Sequence, residues 1–396
     1  MASAMSTGSL LTHLTCGGCS ASFDADRPQT VCPTCGSALL AEYDLSRLEG
    51  RAWIASLPGR PTTLWRYREL LPVRDEKWIS SLGEGCSPVL PLGEVPEAPG
   101  LEVWVKDEGA LPTGSFKARG MAVAVSRAGE LGLTELFVPS AGNAAVALSA
   151  YGARARRKVR VYLPEATPEA MPEACRLYGA EVVRVPGTIR DAGIAARQRE
   201  ERTGAFDVST LREPYRVEGK KTMGWEILEQ FRGDRMPDAV VYPAGGGTGL
   251  VGMARAFSEM RELGLLERPP RLYAVQPEGC APLVRALQEG KPRIEPWAEP
   301  RTVAPGLLVP APFASERVLE AVRGTKGDGV PVSDEEIRQA MGQLGRRHGV
   351  SASPEGAAPY AALSRLLSGG RLHPGERVLL FNTGTGIPFL GSGLAR

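Results

Sequence analysis

The sequence predicts an α/β protein with largely parallel sheets, preceded by a small cysteine-bearing unit. Three observations carry that prediction. From residue 101 onward, short β-branched runs alternate with amphipathic stretches of helical spacing. The joints after the β-branched runs are rich in glycine, serine and alanine. Ahead of them stand two Cys-x-x-Cys pairs, Cys16 with Cys19 and Cys32 with Cys35, with twelve residues between the pairs.

Taken in chain order, residues 1–10 are small and polar and are expected to be disordered. The cysteine unit spans 11–44, and 45–80 reads as connecting helix and loop. Residues 101–108 alternate like a strand. Residues 115–132 carry helical spacing at Met121, Val125 and Ala128, with a stop at Gly129 or Gly132. A strand over 135–139 runs into the turn Ser140-Ala141-Gly142-Asn143, and a helix follows over 144–155. Then come a strand at 158–164, a helix at 172–180 and a strand at 181–187. Residues 238–249 read as a strand entering a glycine loop, with a helix behind it. Another strand covers 271–279. The Pro-rich stretch 291–312 reads as loop. A helix over 333–349 has Ser333 as its N-cap. Residues 377–386 close the chain as a strand and glycine turn. Strands separated by helices imply right-handed crossovers and parallel pairing. In such sheets ligands bind at the carboxyl ends of the strands, where the small residues fall here.

The composition narrows the function classes. The chain has 396 residues, enough for two domains or more, and a formal charge of +2. Near-neutral charge argues against a dedicated nucleic-acid or polybasic membrane binder. No stretch approaches eighteen apolar residues, and Met1 to Leu11 lacks the features of a secretory signal, so a cytoplasmic location is expected. In a reducing compartment the cysteines would not persist as disulfides. Two Cys-x-x-Cys knuckles can instead place four thiolates around one zinc ion at roughly 2.3 Å, a closed and therefore structural site. The unit is too short for its own apolar core, so a metal would hold it. A nucleic-acid-binding ribbon is disfavoured by the acidic neighbours Asp24, Asp26, Glu42 and Asp44.

Residues 245–252 contain a formal G-x-G-x-x-G at Gly247, Gly249 and Gly252, between a strand and a helix. A dinucleotide site would need an acid at the end of the next strand, which instead ends in Gln276 and Pro277. The loop supports a more general expectation, that peptide N–H groups at a helix N-terminus converge on a phosphate. Residues 109–117 nearly imitate a nucleotide-hydrolase loop, but Ser115 and Phe116 separate Gly114 from Lys117, and there the lysine must follow the glycine directly. Lys117 itself sits at a predicted helix start among apolar neighbours. An amine in an apolar pocket loses basicity and can condense with an aldehyde. The three histidines, His13, His348 and His373, stand outside every motif.

The run KDEGALPTGSFKARG, followed by SAGNAA and a distal GGGTG, resembles the pyridoxal-phosphate enzymes of the tryptophan synthase β-like group, fold type II. Within that group the chain is most similar to the threonine synthase family. LGEGCSPVLPL at 82–92 is similar to that family's GEG-x-TP-L loop, and EPYRVEGKKTMGWEI at 213–227 to its PxRxEGQKTxAFEI segment. The cysteine unit resembles the zinc-ribbon-like N-terminus of many members, and the likeness covers most of 11–390.

The resemblance implies two lobes, a large one of 45–119 with 216–396 and a small mobile one of 120–215. It implies pyridoxal 5'-phosphate and structural Zn2+ as cofactors. Lys117 would be joined to the cofactor aldehyde, and Asn143 would bond its 3-hydroxyl. Gly245, Gly246, Gly247, Thr248 and Gly249 would wrap its phosphate, and Thr383 would face its ring nitrogen. Ser140, Ala141 and Gly142 would meet the substrate carboxylate, and Arg216 the phosphate of an O-phosphohomoserine-like substrate. Cys16, Cys19, Cys32 and Cys35 would hold the zinc. The partner is then an amino-acid substrate, not nucleic acid or membrane, and a homodimer is left open. Three departures leave the substrate open: Ala118 where many members have an acid, Lys220 where they have an amide, and STLREP before Arg216. A threonine or serine ammonia-lyase, another β-replacement enzyme, and a non-catalytic zinc-ribbon binding protein on the same scaffold are the alternatives.

Overall fold

The computed structural model describes residues 8–231 and 235–390. Three sheets organise them. Strands β1 (Leu11–Cys16), β2 (Ser22–Phe23) and β3 (Leu39–Tyr43) form an antiparallel sheet in the order β2-β1-β3. The others are β4 (Val89–Gly93), β5 (Glu102–Asp107), β6 (Glu135–Pro139), β7 (Lys158–Pro164), β8 (Glu181–Val185), β9 (Phe206–Asp207), β10 (Ala239–Pro243), β11 (Arg271–Pro277), β12 (Gly329–Val332) and β13 (Arg377–Asn382). Six of them make a sheet in the order β12-β11-β10-β13-β5-β4, parallel except for the edge strand β4. The remaining four make a wholly parallel sheet, β8-β7-β6-β9.

The sequence explains why the parallel strands sit inside. β10 reads AVVYP and is buried along its whole length, paired on one side with β11 and on the other with β13. A strand covered on both faces has no polar face to show, so it reads as a continuous apolar run. Helices pack against the two larger sheets, and Val123, Val125, Leu148 and Val161 meet in one apolar cluster. The helix over Asp334–His348 opens on the expected Ser333, whose hydroxyl accepts from the Glu336 N–H while the Glu336 carboxylate accepts from the Ser333 N–H. This reciprocal cap fixes the helix start.

A buried ionic cluster joins the segments on which the family likeness rests. Arg119, two residues past Lys117, donates to Glu108 at 2.6 and 2.7 Å and to Glu226 at 2.5 and 2.7 Å. Lys106 reaches Glu226 at 2.7 Å, and the Cys86 N–H donates to the same carboxylate at 2.7 Å. Burial of these charges is tolerated because each is matched and hydrogen-bonded. The result locks the helix that begins at Lys117 against the helix Arg216–Gln230.

The cysteine unit packs on that same helix. Leu11, Leu14 and Cys32 share an apolar cluster with Met121 and Val125, and Arg127 donates to the Ala25 carbonyl and to Asp26, both at 2.7 Å. Of the tail 1–10 expected to be disordered, residues 1–7 lie outside the described residues. Leu10 is buried and donates its N–H to the Glu69 carbonyl at 2.8 Å. Among the described residues, no helix is long and apolar enough to cross a membrane.

Candidate active site

The carboxyl ends of β6, β10 and β13 face one cavity of about 520 Å³. Lys117, Ser140, Ala141, Gly142, Asn143, Arg216, Gly245, Gly246, Gly247, Thr248, Gly249 and Thr383 all line it. They come from both parallel sheets, so the cavity belongs to neither alone.

Lys117 opens the helix Lys117–Glu130, directly after a turn in which Thr113 and Gly114 have φ of 63° and 67°. Its Nζ lies 3.8 Å from the centroid of the Phe116 ring. Burial lowers its pKa from 10.5 to about 7, the Arg216 charge acts in the same direction, and Glu355 opposes them. The amine is therefore largely neutral at mildly alkaline pH, the state in which it is a nucleophile or base.

The loop after β10 is a set of unclaimed donors. Among the described residues, the peptide N–H groups of Gly245, Gly246, Gly247, Thr248 and Gly249 have no acceptor. They precede and open the helix Thr248–Glu262, whose dipole adds to their attraction for an anion. Gly247 has φ of 70°, and a Cβ there would stand 2.5 Å from both γ carbons of Val318. At Gly245 a Cβ would meet the Gly306 carbonyl oxygen at 2.4 Å. Only glycine fits these positions. Gln276, which stands where a dinucleotide site needs an acid, donates to the Ala244 carbonyl at 2.8 Å and so steadies the strand just before the loop.

Gly142 has φ of 137° and delivers Asn143 as the first residue of the helix Asn143–Arg154. The Ser140 Oγ accepts from the N–H groups of Gly142 and Ala145, at 3.0 and 3.2 Å. The Thr383 carbonyl accepts the Phe116 N–H at 3.1 Å, which ties the end of β13 to the lysine turn. Arg216 is buried and spends Nη1 on the Val208 carbonyl at 2.6 Å, while its Nε has no partner. Burial, together with the charges of Arg216 and Lys117, pushes Lys220 well below its usual pKa, and its Nζ lies 3.3 Å from the Arg216 carbonyl. Burial raises Glu213 to about 7 although it accepts the N–H groups of Tyr215 and Arg216.

Sequence reasoning missed Glu355, Arg190, Arg197 and Arg212 as wall residues of the cavity. Glu355 accepts the Gly306 N–H at 2.6 Å through Oε1, and its buried Oε2 has no partner. The only local signal was the capped start at Ser353-Pro354, which marks a helix and not a site.

The four sulfurs of Cys16, Cys19, Cys32 and Cys35 lie within 4.8 Å of one another, with Cys16 and Cys35 at 3.3 Å and Cys19 and Cys32 at 3.7 Å. The N–H groups of Gly18 and Cys19 point to the Cys16 sulfur at 3.3 and 3.4 Å. The cluster can hold a metal ion.

The family described as pyridoxal-phosphate dependent enzyme matches residues 80–384. The threonine synthase of Methanocaldococcus jannaschii is 34% identical over 374 residues, covering 94% of this chain and 92% of that protein. The threonine synthase of Methanosarcina acetivorans is 34% identical over 375 residues, covering 94% and 91%. The chain belongs to the pyridoxal-phosphate-dependent enzymes, in the threonine synthase family. Among solved structures, a T.th. threonine deaminase superposes with a TM-score of 0.60 at 29% identity, covering 72% of this chain and 87% of that one. Maize serine racemase superposes at 0.64 with 22% identity, covering 76% and 88%, a likeness of fold. The family membership makes the chain a pyridoxal-phosphate-dependent lyase with the fold type II architecture.

The residues fit the cofactor on their own terms. An amine of depressed basicity and five unclaimed N–H groups line one cavity, which is what an aldehyde and a phosphate on one small molecule require.

Proposed function

We propose that this chain converts O-phosphohomoserine and water to threonine and phosphate. The observation that carries the reading is the half-buried Lys117 amine, with a pKa of about 7, in a cavity that also holds the glycine loop and Arg216. The family's curated members named threonine synthase support it.

In this reading Lys117 holds pyridoxal phosphate, the N–H groups of Gly245 to Gly249 take its phosphate, and Asn143 and Thr383 flank its ring. The cofactor, when bound, supplies an aldehyde and an electron-withdrawing ring that acidifies the carbon next to the substrate amine. Lys117 accepts the proton from that carbon and returns it, which its lowered basicity suits at neutral pH. Thr383 offers a hydroxyl and not a carboxylate, so it adds no negative charge beside the ring. Ser140, Ala141 and Gly142 meet the substrate carboxylate at the start of the Asn143 helix. Arg216 steadies charge gathering on the departing phosphate. The Phe116 ring keeps water from the lysine tip.

Cys16, Cys19, Cys32 and Cys35 are proposed to bind structural Zn2+. Four sulfurs at about 2.3 Å from one tetrahedral ion stand about 3.8 Å apart, near the separations above. A closed four-thiolate site leaves no position for substrate, so its contribution is to docking of the unit on the Lys117 helix.

Deamination of threonine or serine is the second reading, favoured by the 29% identity to a threonine deaminase and by the departures around Arg216. The holoenzyme, given O-phosphohomoserine, threonine and serine in parallel, separates the two. Threonine and phosphate in equal amounts are expected from the first. Keto acid and ammonia from the other two, with no threonine formed, overturn the proposal, and a protein that acts on none of them would be the non-catalytic binder.

A further inference from the structure

Six cationic side chains and one carboxylate line the cavity. Lys117 and Lys220 stand over the Phe116 ring, Arg216 is the third inner cation, and the carboxylate is Glu355. The other three cations, Arg190, Arg197 and Arg212, form a group. Among the described residues none of these three has an ion-pair or hydrogen-bond partner for its guanidinium; Arg190 stands exposed at the rim, and Arg197 and Arg212 are half-buried in the wall.

We propose that Arg190, Arg197 and Arg212 form an outer anion subsite that takes a phosphate dianion, the side-chain phosphomonoester of the substrate. The proposal rests on the reading above and deepens it by assigning the phosphate wall of the cavity.

The three reach the cavity from two elements. Arg190 and Arg197 stand two turns apart on the helix Ile189–Glu200, and Arg212 follows β9. The Arg197 guanidinium lies back over Gly193, where a Cβ would meet it at 3.2 Å, so a larger residue at 193 would displace it. Arg212 rests over the Phe313 ring, 4.5 Å from its centroid. The residue before it, Leu211, has φ of 58°, a strained conformation for a branched side chain. Thr210, one residue earlier, lies against the glycine loop, its methyl 3.1 Å from where a Gly246 Cβ would be. The segment carrying Arg212 therefore continues the wall of the phosphate loop.

Charge supports the assignment. Burial and then the Arg197 charge lower the Arg212 pKa, with Asp207 acting the other way, so the two guanidinium groups repel one another across the cavity. A cofactor phosphate is already served by five peptide N–H groups. The outer cations stand beyond those N–H groups and are free to meet a second anion. A planar guanidinium matches two phosphate oxygens at once, and three of them surround a tetrahedral dianion. Arg212 and its neighbours also make up the STLREP segment that departs from the family pattern. The outer wall is thus this chain's own solution to phosphate recognition.

The test uses the holoenzyme and the variants Arg212→Gln, Arg197→Gln and Arg212→Lys. Inorganic phosphate is the direct probe, its binding followed by calorimetry. O-phosphohomoserine and serine are the kinetic probes. Loss of one charge-assisted contact should weaken phosphate binding by about tenfold or more in each Gln variant, with part of it regained in Arg212→Lys. The KM for O-phosphohomoserine should rise, and its kcat/KM should fall relative to that of serine by a similar factor. Unchanged phosphate affinity, or equal losses on both amino acids, overturns the subsite. If the wild type makes no threonine yet binds phosphate in an Arg212-dependent way, the proposed reaction fails and the subsite stands. If threonine is made with the same KM by wild type and Arg212→Gln, the reaction stands and the subsite fails.

Discussion

The lowered basicity of Lys117 can be turned into a pair of shifts with opposite signs. At its ordinary pKa of 10.5 the amine would be about 0.3% neutral at pH 8, and at about 7 it is about 90% neutral, a gain near 300-fold in reactive form. Burial is the largest cause of the shift, then the Arg216 charge, with Glu355 acting the other way. Arg216→Gln should therefore raise the pKa, and Glu355→Gln should lower it. The assay strips the protein of cofactor and measures the initial rate of pyridoxal phosphate capture from pH 5 to 10. The wild-type rate should rise through an inflection near 7, with the two variants displaced to either side. A wild-type inflection near 10, or two variants shifted in the same direction, would refute the electrostatic reasoning. The same shift makes a stability statement for the stripped protein. Between pH 7 and 10.5 the unfolded chain holds the lysine proton and the folded chain does not, so stability rises with pH across that window. The penalty of the buried charge is complete below 7 and gone above 10.5.

Three further outcomes are expected. Lys117→Ala should abolish turnover with the far-UV spectrum and melting profile kept, and appreciable residual activity would remove Lys117 from its role. Glu226→Ala leaves Arg119 and Lys106 short of a buried counter-charge, so urea unfolding should show a loss of about 3–5 kcal/mol, whereas a loss under about 1 kcal/mol would mean the cluster is poorly formed. The purified chain should carry one zinc ion by elemental analysis and Cys32→Ser should carry far less, with earlier melting because the unit braces Arg127. A wild type without metal would contradict the zinc assignment.

The parallel architecture was legible because apolar runs such as AVVYP and VLLFN need no polar face and alternating ones such as EVWVKD read as strands, and strands stand at 102–107, 135–139, 158–164, 239–243 and 377–382. The glycine loop was legible because positive φ and close approach admit nothing else at Gly247. Other elements carried weaker signals. β12 reads GVPV, with a proline and a glycine that suggest loop, and it holds its place through tertiary pairing with β11. The helix Arg216–Gln230 is buried along nearly its whole length, so it shows no amphipathic period for all its charged residues. Glu355, Arg190, Arg197 and Arg212 reach the cavity by topology: Glu355 lies far along the chain from the arginines, and no local spacing can bring the four together.

The most direct measurement is the position of the covalent bond to the cofactor. Borohydride reduction of the holoenzyme, followed by proteolysis and mass mapping, should find one phosphopyridoxyl group, carried by Lys117. A label on Lys220, the other amine of the cavity, or no label at all, would contradict the assignment on which the site rests.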